Sequence, residues 1–198
     1  MAIIVDKVQK RKDIALSCKE LIFNNGIKDL TISQIAKTAG VGKGTIYEYF
    51  NNKEDIVFEI VNIMILERNI AVEEKLSKLT STKDKIKLFS SFFYINEDEE
   101  LRKLYKEFVS IALSSPDEDM KEFQTQCFDV HYLRFEQIIQ EAIDKGELIK
   151  GSLSFARGLF VSAEGMFIAS EATNSIQSVE REVNKFIDAL FDLIEIKK

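Results

Sequence analysis

Apolar residues recur at helical spacing along almost the whole chain, and no stretch alternates in twos over the length of a strand. Ile14, Cys18, Leu21 and Ile22 predict a helix from about Lys7 to Asn25, ended at Gly26. Leu30 then precedes Thr31-Ile32-Ser33-Gln34, which reads as a capping box. The Thr31 hydroxyl accepts from a first-turn amide, and Gln34 reaches back. A short helix follows with Ile32, Ile35 and Ala36 inward; Ala39-Gly40-Val41 turns sharply, and a second short helix runs from Lys43 to Phe50. Asn52 caps a fourth helix, from about Lys53 to Leu79, with Ile56, Ile60, Ile63, Met64 and Ile70 along it. Glu54 and Asp55 sit in its first turn, where carboxylates suit the helix dipole.

Beyond it the pattern predicts helices at 83–95, with Ile86, Phe89, Phe92 and Phe93, and at 99–113, with Leu101, Leu104, Tyr105 and Phe108. The acidic run Glu97–Glu100 reads as a solvated helix start. Ser115-Pro116-Asp117-Glu118 is a start signal, with Ser as cap and Pro in the first turn, for a helix reaching Lys145 and stopped by Gly146. Two helices finish the chain. At 152–173, Gly158, Ser162, Gly165 and Ala169 put small residues on one face; at 176–196, Val179, Val183, Phe186, Leu190, Leu193 and Ile194 form one stripe. The chain carries no fixed-period repeat and no low-complexity segment.

Composition narrows the partners. The 198 residues are 45% hydrophobic and 30% charged, with one proline and no tryptophan, as in a well-packed helical protein. No long uncharged apolar run suggests a membrane span, and Met1–Lys12 holds only the short apolar stretch Ala2–Val5 before Lys-rich sequence, unlike a secretory signal, so a cytoplasmic protein is expected. Cys18 and Cys127 read as free thiols. The net charge of −6 speaks against nucleic acid until the chain is divided. Residues 1–53 hold nine Lys/Arg against five Asp/Glu, while residues 54–198 hold eighteen against twenty-eight. A basic head on an acidic body suits a protein of which only one end meets phosphate. An enzyme is disfavoured: there is no Gly-rich phosphate loop, no Gly-x-Ser-x-Gly and no His-Glu-x-x-His, and a single histidine cannot build a His-rich metal site. No catalytic residue, cofactor or metal is expected. A helical adaptor that binds only protein would leave the basic head, with its outward Tyr and Lys, without a purpose.

Residues 31–50 carry the most specific signal. Two short helices stand three residues apart, with Ala36 small at the crossing and Gly40 in the turn. Ile32, Ile35, Val41, Ile46 and Phe50 can close a miniature core, and Lys43, Thr45, Tyr47, Glu48 and Tyr49 then point outward on a rod that fits the major groove. Ile35, Ala36, Ala39, Gly40, Val41, Gly44, Thr45, Tyr47, Tyr49, Phe50, Lys53 and Glu54 stand in one register that resembles the TetR family closely, over roughly the first quarter of the chain. Gly42 departs from the pattern, where a Ser often caps the second helix; a glycine cap costs only a few tenths of a kcal/mol relative to Ser. The resemblance implies an all-α fold of about nine helices. An N-terminal three-helix helix-turn-helix DNA-binding domain at 1–53 would precede a helical ligand-binding and dimerisation domain at 54–198. It implies that Thr31, Thr45, Tyr47 and Tyr49 contact phosphates or sugars, and that Lys53 and the amides beside it grip a phosphate. Lys43, Gly44 and Glu48 would face the bases, where a Glu can accept from cytosine N4.

For the body, the resemblance implies a homodimer and an effector that releases operator DNA. The expected dimer residues are Gly158, Ser162, Gly165, Ala169, Val183, Phe186, Leu190 and Ile194, although the two stripes could instead pack on each other within one chain. Aromatics concentrate mid-chain. Phe92, Phe93, Tyr105, Phe108, Cys127, Phe128, His131 and Phe135 are the candidates for a largely apolar effector pocket, with ordinary core packing as the alternative. The expected partners are therefore double-stranded operator DNA, a second copy of the chain and a small molecule, with no membrane.

Overall fold

Side-chain caps set where the helices begin in a computed structural model that describes residues 6–27, 29–114 and 118–197. Asp6 accepts from the Val8 and Gln9 amides, Thr31 from Gln34, Ser81 from Asp84 and Ser178 from Arg181. Each satisfies an amide that a first helical turn leaves unpaired. The helices are α1 (Lys7–Ser17), α2 (Lys19–Asn25), α3 (Ile32–Thr38), α4 (Lys43–Tyr49), α5 (Lys53–Lys78), α6 (Thr82–Ser90), α7 (Glu99–Ser114), α8 (Glu118–Asp144), α9 (Ala156–Ala172) and α10 (Val179–Ile194). Short 3-10 turns lie at Ser91–Phe93, Asn96–Asp98 and Lys150–Phe155. Among the described residues there is no strand, only an isolated bridge between Leu148 and Glu195, and the protein is all-α as expected.

The differences from the sequence reading have local causes. The helix expected over 7–25 is interrupted at Cys18, whose N–H turns back to the Ala15 and Leu16 carbonyls. Its thiol instead reaches the Ile35 carbonyl at 3.7 Å, tying this break to α3. That interruption turns the expected nine helices into ten helical segments among the described residues. The helix expected over 83–95 ends at Ser90 and tightens into 3-10 turns, where the Arg102 guanidinium donates to the Phe92 carbonyl at 2.7 Å. The last helix begins at Val179 rather than 176 because the Ser178 side chain caps it. The start signal at Ser115-Pro116-Asp117 lies outside the described residues. Asp98, expected in a solvated run, is buried, and Ile70, expected among the apolar positions, is exposed.

Contacts divide the chain into two compact units, Met1–Asn69 with Lys103–Pro116, and Ile70–Arg102 with Asp117–Lys198. The first unit buries Ile14 and Ile22 from α1 and α2, Ile35 from α3, Ile46 from α4, Ile56 and Ile60 from α5, and Leu104 and Phe108 from α7. Phe58 meets Phe108 edge-on with centroids 5.9 Å apart. Gly26 ends α2 with φ 73°, and the Ile27 amide behind it donates to the Glu107 carboxylate at 2.9 Å.

The second unit closes around Ile86, Phe135, Ile139, Leu159, Ala163, Ile187 and Phe191. Phe160 is the hub of its rings, standing edge-on to Phe128, Tyr132 and Phe135 at 5.1, 5.6 and 5.4 Å. Lys87 pairs with Asp188 at 2.6 Å, joining α6 to α10, and Arg134 pairs with Glu73 at 2.6 Å, joining α8 to α5. The stripe expected along α10 splits. Val183 and Ile194 are 2% and 3% exposed and belong to the core of their own unit, beside Ile187 and Phe191. Within one chain their side chains are therefore spent on the core rather than on an outer face. Because Phe191 is fully buried, Phe191→Ala should cost about 3–5 kcal/mol in urea unfolding. A loss below about 1 kcal/mol would mean that α10 is not anchored by this core.

Candidate nucleic-acid interface

The head is built around a turn that only glycine adopts easily. Gly40 has φ 65°, and the Val41 amide bonds to the Ala36 carbonyl at 3.0 Å, so α3 ends and α4 leaves at a sharp angle. Burial of Ile35, Ala36, Ile46 and Phe50 holds α3 and α4 from within. Gly42 precedes α4 in an extended conformation, without a side-chain cap. At Gly44, a Cβ would meet nothing within 4 Å, so the first turn of α4 is open. Lys43, Gly44, Tyr47 and Glu48 are exposed, Tyr47 to 60%. Thr45 and Tyr49 are half-buried, so the outward face of α4 is narrower than its sequence suggests.

One expected phosphate contact, Thr31, and one amide near the start of α5 are already engaged. Thr31 Oγ1 accepts from the Gln34 amide at 3.3 Å and donates to Gln34 Oε1 at 2.6 Å, so the full capping box is present. A phosphate reaching Thr31 would have to displace Gln34 as its acceptor. At the start of α5, Asn52 Oδ1 accepts from the Asp55 amide at 2.8 Å, and Asp55 Oδ2 accepts from the Asn51 amide at 2.9 Å. The grip expected there narrows to the half-buried Lys53 and the first amides of α5.

One residue that sequence reasoning passed over sits behind the reading helix. Arg11, on α1, donates through Nη1 to the Tyr49 carbonyl and through Nε to Glu59 Oε2 at 2.8 Å. Its guanidinium lies 4.2 Å from the centroid of the Phe50 ring. The available signal was its type: it is the one arginine among the nine basic residues of 1–53.

The effector candidates fall in both units, Tyr105 and Phe108 in the first and the other six in the second. In the second, Phe92 meets Phe93 edge-on at 5.0 Å, and Phe93 lies against Phe167 at 5.6 Å. Phe128 stacks on Tyr132 at 6.1 Å, and Phe135 is fully buried against Phe89 and Phe160. Phe160 and Phe167, absent from the sequence candidates, lie across the helix from the exposed Gly158 and Gly165. His131 and Cys127 do share a face: His131 Nδ1 lies 2.7 Å from the Cys127 carbonyl. Burial pushes the Cys127 thiol up to about 11, and the Cys18 thiol is also raised, by burial first. Thiolate chemistry near neutral pH is therefore suppressed at both. Among the dimer candidates, Gly158 and Gly165 are exposed, Ser162 and Ala169 half-buried, Phe186 exposed and Leu190 half-buried. Among the described residues no group of His, Cys, Asp and Glu is placed to hold a metal, and no helix is long and apolar enough to cross a membrane.

Comparison with known proteins agrees with this geometry. The family model described as bacterial regulatory proteins, tetR family, matches residues 18–60, which span the turn and both short helices. The chain is similar to the fatty acid metabolism regulator protein of Bacillus subtilis, 28% identical over 147 residues, or 73% of this chain and 74% of that one. A TetR transcription regulator of Haloarcula marismortui superposes with a TM-score of 0.76 at 15% identity, covering 96% of this chain and all of that one. The transcriptional regulator FadR of Bacillus subtilis, solved with stearoyl-CoA, superposes with a TM-score of 0.68 at 23% identity, covering 88% and 96%.

Two outcomes follow from the site. Tyr47→Ala combined with Lys53→Ala should abolish retardation of the DNA upstream of the protein's own gene, while the melting temperature stays near wild type; retained binding removes these residues from the interface. The neutral thiol of Cys127 is favoured by the fold, so the stability tied to it is complete below the ordinary thiol value and is lost as pH rises through about 11. Alkylation of Cys127 by iodoacetamide should accordingly rise toward pH 11 rather than level off near pH 9, as read by mass spectrometry.

Proposed function

The chain belongs to the TetR family of bacterial regulatory proteins, and from that membership we propose that it is a repressor that reads operator DNA and releases it when a small, largely apolar effector binds. Its role is binding, with no reaction of its own. Residues 1–53 supply the DNA contacts and residues 54–198 the effector and dimer contacts. The observation that carries this reading is the open outer face of α4 in a basic segment, with Lys43, Gly44, Tyr47 and Glu48 presented on a helix whose back is buried. Lys43, Gly44 and Glu48 contact bases. Tyr47, Lys53 and, at the edges, Thr31, Thr45 and Tyr49 contact the backbone, so the first set decides sequence and the second decides affinity and its salt dependence.

Two heads must reach half-sites about one helical turn apart, so the working unit is a homodimer. Its interface uses the outer faces of α9 and α10, through Gly158, Ser162, Gly165 and Ala169 with Phe186 and Leu190. These residues are exposed or half-buried, whereas Leu159, Ala163 and Phe167 of α9 turn into their own unit. Small residues on the outer face permit close helix approach. The effector class that the similarity to FadR and the aromatic network support is a long-chain acyl-CoA, whose acyl chain would displace ring–ring contacts among Phe92, Phe93, Phe128 and Phe135. An effector that favours a head spacing misfitted to the operator releases it.

Selection of bound duplexes from a random pool, repeated with stearoyl-CoA, tests the whole reading. Binding should weaken steeply as salt rises, and stearoyl-CoA should release the selected duplex while free CoA does not. Binding that ignores salt removes the DNA function; release by neither compound removes the acyl-CoA assignment alone. Gly165→Arg should yield a folded monomer in sedimentation at about micromolar concentration and lose operator binding. A wild-type protein already monomeric there overturns the dimer.

A further inference from the structure

The reading helix is short, and one side chain holds its far end. α4 has seven residues, too few to be stable by itself, and it ends with carbonyls that no later turn can satisfy. The Tyr49 carbonyl is one of these, and Arg11 Nη1 donates to it. The same guanidinium donates through Nε to Glu59 of α5 at 2.8 Å and lies 4.2 Å from the Phe50 ring centroid. One planar group thus joins α1, the end of α4 and the body of α5. A cation at this end also complements the helix dipole. The Arg11 and Glu59 side chains are 32% and 18% exposed, so the pair is partly shielded from water.

We propose that Arg11 is a positioning residue for DNA recognition: its fork fixes the C-terminal end of α4, and with it the register in which Lys43, Gly44 and Glu48 meet the bases. The proposal rests on the DNA-reading function above and concerns specificity within it. A rotation of α4 about its buried Ile46 moves both ends of the helix, so an anchor at Tyr49 controls groups at Lys43 without touching DNA. Lysine cannot replace it. An ammonium keeps the charge but cannot donate in two fixed directions while lying flat on a ring.

Arg11→Lys separates this role from a simple phosphate contact. Affinity for the duplex selected by wild type should fall by about tenfold or more, while affinity for a random-sequence duplex and the slope of log K against log salt stay unchanged. Equal loss on both duplexes, or no loss on either, makes Arg11 a point charge that lysine can supply and overturns the proposal. Glu59→Ala gives an opposite-sign check. Removing a negative charge from the head should strengthen binding to any DNA by charge alone, whereas positioning requires weaker binding to the selected duplex. A gain or no change there overturns the proposal. Amide hydrogen exchange in the same samples keeps it decidable if Arg11→Lys disturbs the head or if wild type selects no duplex. Exchange should quicken across 43–50 in Glu59→Ala with α5 unchanged, and unaltered exchange in α4 rules the anchor out. A wild-type protein that selects no duplex removes the DNA-reading function, while the exchange result still reads the anchor.

Discussion

A helix of two turns cannot hold its own position, and the head of this protein is organised around that constraint. α4 closes few internal hydrogen bonds and has no side-chain cap at Gly42. Its place is imposed by what surrounds it. Gly40 sets the angle at which it leaves α3, Ile46 and Phe50 bury its back, and Arg11 engages its last carbonyl. The turn after it is held by Asn52 and Asp55, each accepting from a backbone amide. The outer face is then left to groups with little structural duty. That division explains why Lys43, Tyr47 and Glu48 are exposed on so short a segment.

The second unit separates inward and outward faces along its last two helices. In α9, Leu159, Ala163 and Phe167 turn into the core, and Gly158 and Gly165 turn out. In α10, Val183, Ile187, Phe191 and Ile194 turn in, and Phe186 and Leu193 turn out, Leu193 to 77% exposure. The core and the proposed interface are therefore two sides of the same helices. The rings of the aromatic network pack edge to face around Phe160, which stabilises the unit. Burial raises the Cys127 thiol in the same region, so its thiolate is disfavoured near neutral pH.

Much of this was legible from residue order. The capping box at Thr31 and Gln34, the turn at Gly40, the cap at Asn52 and the stops at Gly26 and Gly146 are local features. Their chemistry acts within four residues, so a linear reading reaches them. The same holds for the basic head, which appears once residues 1–53 are counted apart from the rest. Exposure was harder to read. Ile70 and Leu193 are apolar and outward, and Asp98 is acidic and buried, because burial depends on which neighbour arrives from far along the chain.

Helical class, element order and the location of the reading head thus follow from spacing and capping, which are short-range. Tertiary structure decided which side of α10 is core, since a wide apolar face has enough residues for two partners and only packing assigns them. It also interrupted the first helix at Cys18, whose thiol is tied to the Ile35 carbonyl of α3. Most of all it supplied the role of Arg11. Thirty-eight residues separate it from Tyr49 and forty-eight from Glu59, and no periodicity connects positions so distant until the chain has folded.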